Sequence, residues 1–223
     1  MKKILFAISS AVLISSCGGG DTAAGEKTKQ DSLPQTCTYS YDSSATTIGF
    51  GGFKFTEKKE VKGGFLKFAV EGTKEDTIAY NVVEGASFKI DIEGLNTKDQ
   101  ARDYNIKSSL FAKMDSTAFI IGTIKKLKYE VVSSIPQYKA TIISAEVSIK
   151  MNGIEKDYNL QLSLSGEELT LTGAINLNDF KAQKALESLH ETCLEYHRGS
   201  DGKSVTWPEV NIYVSTTLKK NCQ

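Results

Sequence analysis

Apolar side chains recur at every second position through most of this chain, and this alternation constrains the fold more than any other feature of the sequence. Clear examples run from Phe88 to Ile92 and from Tyr158 to Leu164, where each apolar residue is followed by a polar or charged one. A period of two places alternate side chains on opposite faces of a β-strand. Strands that are apolar on one face only are typical of antiparallel sheets with one face on a core and one in water.

About eight such strands follow one another, joined by short turns that include Asn152-Gly153 and Ser165-Gly166-Glu167. Asn-Gly is a strong hairpin signal because both residues readily adopt positive φ. Prolines number only three, and the β-branched and aromatic residues that favour strands are frequent. The pattern predicts an all-β domain, either a sandwich or a closed barrel, and does not choose between the two.

Two segments depart from this period and predict short helices. Residues 97–111 open with Thr97-x-x-Gln100, a capping-box signature. The inward side of this helix is expected to carry Ala101, Tyr104 and Leu110. Residues 179–197 have Asp179 as the expected N-cap. The apolar stripe of the second helix consists of Ala182, Ala185, Leu186, Leu189 and Cys193.

Residues 1–16 predict a signal peptide. Lys2 and Lys3 precede an apolar run over residues 4–14, which is much shorter than the roughly 20 residues of a membrane-spanning helix. The run ends in Ile-Ser-Ser-Cys, which resembles the bacterial lipobox, in which a lipid is attached to the cysteine and the peptide is cut just before it. We therefore expect a lipoprotein anchored to a membrane through Cys17 and facing the periplasm or the cell surface. An ordinary signal peptide followed by a chance cysteine is the alternative.

The rest of the chain divides into a linker and a folded domain. Residues 17–36 supply the lipidated cysteine and a flexible linker of mostly small and polar residues, and residues 37–223 form the domain. The 27 basic side chains are balanced by 27 acidic ones, so nucleic acid is not expected as a partner. The sequence has only two histidines and no nucleophile elbow or P-loop. We expect a protein that is not an enzyme and uses no cofactor.

Five stretches carry a family resemblance in the order in which they occur. They are DSSATTIGFGGFKF, VKGGFLKF, FKIDIEGLNTKDQARDYNIKSSLF, AEVSIKMNGIEKDYNLQLSL and Asp179-Phe180. Together they resemble the YceI-like family of extracytoplasmic lipid- and polyisoprenoid-binding proteins, over about residues 38–219. The resemblance implies an eight-stranded antiparallel lipocalin-like β-barrel with two short helices and a long apolar ligand in its lumen. Eight strands are wide enough to enclose one slender ligand.

The same resemblance implies a binding protein for an apolar lipid, a polyisoprenoid, rather than an enzyme. The candidates for lining the cavity are Phe50, Phe68, Phe88, Ile90, Phe119, Ile121, Leu160 and Leu162, and simple core packing is the alternative for each. Arg102 and Asp103 are candidates for contacting a polar head group, with solvent exposure or capping of a loop as the alternative. A structural or interaction lipoprotein with a filled barrel is the alternative function. The expected partners are the lipid and the membrane, and a homodimer is left open.

Three cysteines remain when Cys17 carries a lipid, so an exported protein has material for one disulfide and one free thiol. The first and last strands of a closed barrel are antiparallel neighbours, which brings Cys37 and Cys222 together. This pair is the favoured disulfide, and Cys37–Cys193 and no bridge are the alternatives.

His190, Cys193 and His197 fall near one face of the second helix, where a transition metal could bind. Cys193 also lies on the apolar stripe of that helix. A buried structural cysteine between two surface histidines is therefore the favoured interpretation, and no metal is expected.

Overall fold

The computed structural model describes residues 36–114, 118–135 and 138–223. The predicted signal peptide, Cys17 and residues 18–35 of the predicted linker lie outside the described residues. The first six strands are β1 (Cys37–Ser40), β2 (Thr46–Lys54), β3 (Lys59–Phe65), β4 (Phe68–Glu71), β5 (Ser87–Asp91) and β6 (Leu95–Asn96). The other six are β7 (Phe119–Ile135), β8 (Tyr138–Met151), β9 (Ile154–Ser165), β10 (Glu168–Asn176), β11 (Thr206–Thr217) and β12 (Lys219–Cys222). The two α-helices are α1 (Gln100–Asn105) and α2 (Gln183–Thr192).

Ten of the strands form one antiparallel sheet in the order β4-β5-β7-β8-β9-β10-β11-β2-β3-β6. The sheet is curled into a lipocalin-like half-barrel. β1 and β12 form a separate two-stranded sheet in which Cys37 pairs with Cys222. No helix within the described residues is both long enough and apolar enough to cross a membrane.

The prediction of eight strands is wrong: two of the expected strands are interrupted, which gives ten strands in the main sheet, and β1 and β12 add two more. Only two residues, Leu66 and Lys67, separate β3 from β4, and a short 3₁₀ turn, Ile92–Gly94, separates β5 from β6. At these breaks the Leu66 amide donates to the Gly94 carbonyl at 2.8 Å, and the Asp91 amide donates to the Lys67 carbonyl at 2.9 Å. β3 pairs with β2 while β4 pairs with β5. The interrupted strand therefore contributes β4 to one edge of the sheet and β3 to the position next to the other edge.

The predicted alternation is confirmed along the best-defined strands. In β9, Leu160 and Leu162 are buried whereas Asn159 and Gln161 are exposed. The β8–β9 hairpin turns at Asn152-Gly153, where both residues have positive φ (50° and 71°), as the Asn-Gly signal predicts. The buried apolar face lines the inside of the curled sheet, where the two helices also pack.

The first helix begins later than predicted and continues as a π-helix over Ile106–Leu110. Its N-cap is Asp99, which accepts a hydrogen bond from the Arg102 amide at 3.0 Å, and is not Thr97. Leu110 is buried as predicted, whereas Ala101 is exposed and lines the outer cavity at its edge. Tyr104 does not face inward, since it is 70% exposed. The inward face of α1 continues through Asn105 instead, which places Tyr104 on the outside.

The second helix begins at Gln183 and not at Asp179. Residues Leu177–Phe180 form a 3₁₀ turn, and Lys181 then adopts a left-handed conformation (φ 53°) that separates this turn from α2. Asp179 accepts a hydrogen bond from the Tyr158 hydroxyl at 2.8 Å. The predicted stripe is confirmed, because it supplies the buried or half-buried side chains Ala182, Ala185, Leu186, Leu189 and Cys193.

Candidate functional site

Two adjoining cavities lie inside the curled sheet. The outer cavity has a volume of about 280 Å³ and the inner one about 140 Å³. The residues that line both are Phe50, Phe65, Ile120, Met151, Ile175 and Ile212. Because they share these walls, the two cavities are successive parts of one lumen.

The inner cavity is almost completely apolar. It is enclosed by the inward side chains of several strands, such as Phe88 of β5, Ile124 of β7, Leu160 of β9 and Val214 of β11. The few polar groups near its far end include the hydroxyls of Thr46 and Thr216, which lie 2.8 Å apart and hydrogen-bond to each other. A wall of this kind favours hydrocarbon over water.

The outer cavity is covered by the two helical segments. The first segment contributes Ala101, Ile106 and Leu110, and α2 contributes Leu186, Leu189 and Cys193. The hydroxyls of Ser109 and Thr192 lie 2.9 Å apart and link the segments. The π-helical stretch carries both Ile106 and Leu110, and such stretches are frequent at functional sites.

The rim of the outer cavity is polar and carries two cations, Lys54 and Arg102. The Lys54 ammonium donates to the Tyr196 carbonyl at 3.2 Å, and Arg102 forms an ion pair with Asp99 at 3.2 Å. Partial burial lowers the pKa of Lys54, and the nearby positive charge of Arg102 lowers it further. Asp99 lines the same rim, and its carboxylate balances the charge of Arg102, so Lys54 carries the unbalanced positive charge of these three groups.

The two histidines converge on one hydroxyl at this rim. His190 Nδ1 lies 3.2 Å and His197 Nδ1 lies 2.6 Å from Thr206 Oγ1. Burial lowers the pKa of His197 to about 4, with smaller contributions from the charges of Lys54 and His190. His197 is therefore neutral at pH 7, and its ring contributes a hydrogen bond and no charge.

Cys193 is buried at the C-terminal end of α2 and also lines the outer cavity. Its sulfur accepts from the Asn105 amide at 3.9 Å, and burial raises the pKa of the thiol. The thiol is therefore protonated and poorly nucleophilic. Within the described ranges, no group of three or more His, Cys, Asp or Glu side chains is arranged to hold a metal ion.

The disulfide of the protein joins Cys37 to Cys222, the pair that the sequence favoured. Cys193 is the free cysteine of the described residues. The bridge fastens β1 to β12, at the end of the lumen where Thr46 and Thr216 meet.

Five of the eight predicted lining residues do line the lumen; they are Phe50, Phe88, Ile90, Leu160 and Leu162. Phe68 does not belong to the lining of either cavity. It packs in a small cluster around Phe65, Ile90 and Leu95. Val70, two residues further along β4, does line the inner cavity, so the strand reaches the lumen through Val70 and not through Phe68.

Phe119 and Ile121 are wrong predictions, because both side chains lie on the outer face of β7. They are 37% and 40% exposed, and the Lys89 ammonium lies 3.8 Å from the centroid of the Phe119 ring. Ile120 lines the lumen instead. The first residues of β7 are apolar on both faces, so alternation alone did not determine which face turns inward.

The two head-group candidates have different roles. Arg102 lies at the rim, where a ligand could reach it. Asp103 is occupied, because its Oδ1 accepts from the Thr97 amide at 2.8 Å and from the Thr97 hydroxyl at 2.6 Å. Asp103 therefore caps the loop before α1, which is the alternative that the sequence had left open.

Sequence reasoning missed Lys54 and Trp207 as residues of the site. Both lie at the rim, and the Trp207 indole donates to the Phe55 carbonyl at 2.7 Å. Lys54 alternates with Phe53 and Phe55 like an ordinary surface lysine, so no local signal distinguishes it. It reaches the rim only because α2 and the following turn fold over the end of β2.

Comparison with known proteins gives the family and the fold. No curated protein is similar enough in sequence to count as a relative of this chain. The fold is similar to that of a polyisoprenoid-binding domain from Saccharophagus degradans implicated in plant cell wall breakdown, at 12% identity and a TM-score of 0.55, over 84% of this chain and 100% of that one. It is also similar to BcnA from Burkholderia cenocepacia, at 10% identity and a TM-score of 0.51, over 81% of this chain and 99% of that one.

At these identities the two solved structures establish the fold alone. The family is established by the sequence itself, because residues 39–218 match the family model of the YceI-like domain. This match covers all the strands that line the lumen and both helices. The chain therefore belongs to the YceI-like domain family.

Proposed function

We propose that this protein binds an apolar lipid, a polyisoprenoid, in its lumen, and that it is a binding protein and not an enzyme. The observation that carries the proposal is the pair of adjoining apolar cavities inside the sheet. The polyisoprenoid-binding domain of similar fold supports the same ligand class. A neutral His197 and a protonated Cys193 favour binding over nucleophilic or acid–base chemistry at the rim.

Burial of hydrocarbon supplies the binding energy. Each methylene group removed from water gains about 0.8 kcal/mol, so an isoprene unit of five carbons gains about 4 kcal/mol before the costs of association. No precise polar geometry is needed along the chain of the ligand. A polar end of the lipid fits at the rim, where Lys54 and Arg102 supply positive charge.

The proposal places the protein outside the cytoplasm, anchored by a lipid on Cys17. The lipobox-like sequence before Cys17 supports this, and so does the Cys37–Cys222 disulfide, because disulfides persist in oxidising compartments. An anchor of this kind holds the lumen close to a membrane, which is where polyisoprenoids are found.

A matched pair of substitutions tests the lumen directly. Ile120→Trp fills the wall shared by both cavities, whereas Ile121→Trp adds the same side chain to the outer face of the same strand. The chain from residue 18 onward is exported from a bacterial host, purified and extracted with organic solvent for mass spectrometry. We expect stoichiometric prenyl lipid from the parent chain and from Ile121→Trp, and at least a tenfold loss from Ile120→Trp.

A parent chain that carries no lipid and retains no added polyprenol would contradict the proposal. It would favour the alternative of a structural or interaction lipoprotein. Equal lipid retention by the two tryptophan variants would place the ligand outside the lumen.

A further inference from the structure

Three large, exposed apolar side chains lie near the opening of the lumen. In the described part of the chain, large apolar side chains are exposed at eight positions, and three of these are Tyr104, Leu194 and Tyr196, at 70%, 40% and 72%. We call these three side chains the rim patch. Single exposed apolar residues are ordinary, but several around one cavity mouth indicate an interaction surface.

The members of the rim patch are close together because the elements that carry them are in contact. Tyr104 lies on α1, and the other two lie in the turn that follows α2. The hydrogen bond between Asn105 and Cys193 joins these elements next to Tyr104 and Leu194. The patch therefore lies beside the opening of the lumen, with Tyr196 in the wall of the outer cavity.

The chemistry of this rim fits the surface of a bilayer. Tyrosine has an apolar ring and a polar tip and is enriched at membrane interfaces. Two cations lie beside the patch: Lys54, whose ammonium donates to the Tyr196 carbonyl, and Arg102, which is paired with Asp99. Basic side chains near a membrane surface are attracted to anionic lipid head groups.

The described chain begins at the opposite end of the lumen. Thr36 exchanges backbone hydrogen bonds with Gln223 at 3.1 and 3.0 Å. Gln223 follows β12, which continues from the end of β11 that pairs with the start of β2. β2 then runs from Thr46 to Lys54 at the rim, a distance of about 27 Å at the rise of a strand. The chain between Cys17 and Thr36 spans at most about 65 Å. That reach is sufficient for a chain anchored at Cys17 to turn its rim toward the same membrane.

We propose that the rim patch is a membrane-docking surface that enters the head-group region of an anionic bilayer. Docking brings the mouth of the lumen against the lipid phase, so that a lipid moves between bilayer and lumen without crossing water. This inference rests on the proposed function, because it assigns a route to the lipid that the lumen is proposed to hold.

Spin labelling of the full chain tests the proposal. A nitroxide is attached at position 104 through Tyr104→Cys and, as the matched control, at position 129 through Tyr129→Cys. Tyr129 is 52% exposed, and its hydroxyl donates to the Asn81 side chain in a turn away from the rim. The labelled chains are reconstituted on vesicles of phosphatidylcholine with phosphatidylglycerol. Collision rates with oxygen and with an aqueous nickel complex are then measured, and the unsubstituted chain treated with the same reagent gives the background.

We expect the label at position 104 to be several-fold more accessible to oxygen than to the nickel complex, and the label at position 129 to behave as in water. Adding Leu194→Ser and Tyr196→Ser to the chain labelled at 104 is expected to restore water accessibility. A label at 104 that is as accessible to nickel as the one at 129 would overturn the proposal. Equal lipid contact on vesicles of phosphatidylcholine alone would overturn the part assigned to Lys54 and Arg102.

Solvent extraction of the same samples separates this inference from the proposed function. Prenyl lipid in the extract together with a water-exposed label at position 104 would leave lipid binding intact and remove docking. A lipid-exposed label together with an extract free of prenyl lipid would support docking and contradict the proposed lipid binding.

Discussion

Gly122 lies on the inner side of β7, and the ring of Phe88 packs directly against it. A Cβ atom at this position would lie 2.4 Å from Phe88 Cζ and 2.1 Å from the Ser148 carbonyl oxygen. Only a glycine permits this approach. Gly122 and Ile120 are two positions apart, so they lie on the same face of β7. The packing of Phe88 against Gly122 therefore helps to keep Ile120 on the side of the lumen.

We expect Gly122→Ala to lower the free energy of unfolding by about 1–3 kcal/mol, because the added methyl group overpacks the wall of the lumen and displaces backbone. The matched control is Gly52→Ala in β2, where an added Cβ meets nothing within 4 Å. Urea unfolding of both variants measures the difference. Equal midpoints for the two alanine variants would show that the inner face of β7 tolerates side chains at this point.

His197 is a second residue whose burial has a measurable consequence. Its pKa falls from 6.5 to about 4 in the folded protein, chiefly because burial disfavours the charged imidazolium. Below pH 6.5 the unfolded chain takes up a proton at this ring, and the folded protein does so only near pH 4. Folded stability therefore falls as the pH decreases through this interval and is unaffected by His197 above it.

We expect the protein to lose about 1–2 kcal/mol more of its free energy of unfolding between pH 7 and pH 5 than His197→Gln does. Glutamine retains a hydrogen bond to Thr206 and has no proton to gain. Urea unfolding at the two pH values gives the comparison, and other titrating groups cancel because both proteins contain them. Identical pH dependence in the two proteins would contradict the assigned pKa.

At the scale of elements, β1 and β12 form a clasp that lies apart from the main sheet. The two strands pair with each other and with no strand of the main sheet, and the Cys37–Cys222 bridge closes a loop with a sequence separation of 185 residues. Closing a loop of this length removes much of the entropy of the unfolded chain. The clasp therefore acts on stability, at the end of the lumen opposite the rim.

We expect the double variant Cys37→Ala/Cys222→Ala to be less stable than the parent by about 3–5 kcal/mol. Its unfolding midpoint is expected to be insensitive to a reducing agent, whereas that of the parent falls when the agent is added. Lipid retention is expected to survive in the double variant, because positions 37 and 222 are distant from the outer cavity. Loss of lipid at a temperature where the variant is still folded would show that the clasp shapes the lumen.

The α1 segment shows what an element-level pattern can and cannot specify. A helix near residue 100 was predictable from composition and capping residues. The π-helical stretch that follows it was not, because it results from packing against α2 and the wall of the lumen. The same contacts turn Tyr104 outward and so create part of the rim patch.

At the scale of the whole molecule, the lumen is built from residues far apart in sequence. Phe50 and Ile212, on neighbouring strands, line both cavities together with residues from the other side of the sheet. A ligand in this space contacts most strands at once. Its binding is therefore expected to stabilise the fold as a unit.

We expect a bound polyprenol at 100 times its dissociation constant to add about 2.7 kcal/mol to the free energy of unfolding. For a domain of this size, that corresponds to roughly 5–10 °C in the unfolding midpoint. Ile121→Trp is expected to show the same shift and Ile120→Trp little or none, in calorimetry with and without the lipid. A shift that survives Ile120→Trp would contradict binding inside the lumen.

The sequence by itself determined the class of the fold, the hairpins, the apolar stripe of α2 and most of the lumen wall. These features follow from the spacing of apolar residues along the chain and from the residues in the turns, and both depend only on residues that are close in sequence. Tertiary structure alone decided the interruptions of β3–β4 and β5–β6, the face of β7 that turns inward, and the position of Lys54 at the rim. Each of these depends on contacts between distant residues, such as Phe88 against Gly122, which no local pattern records.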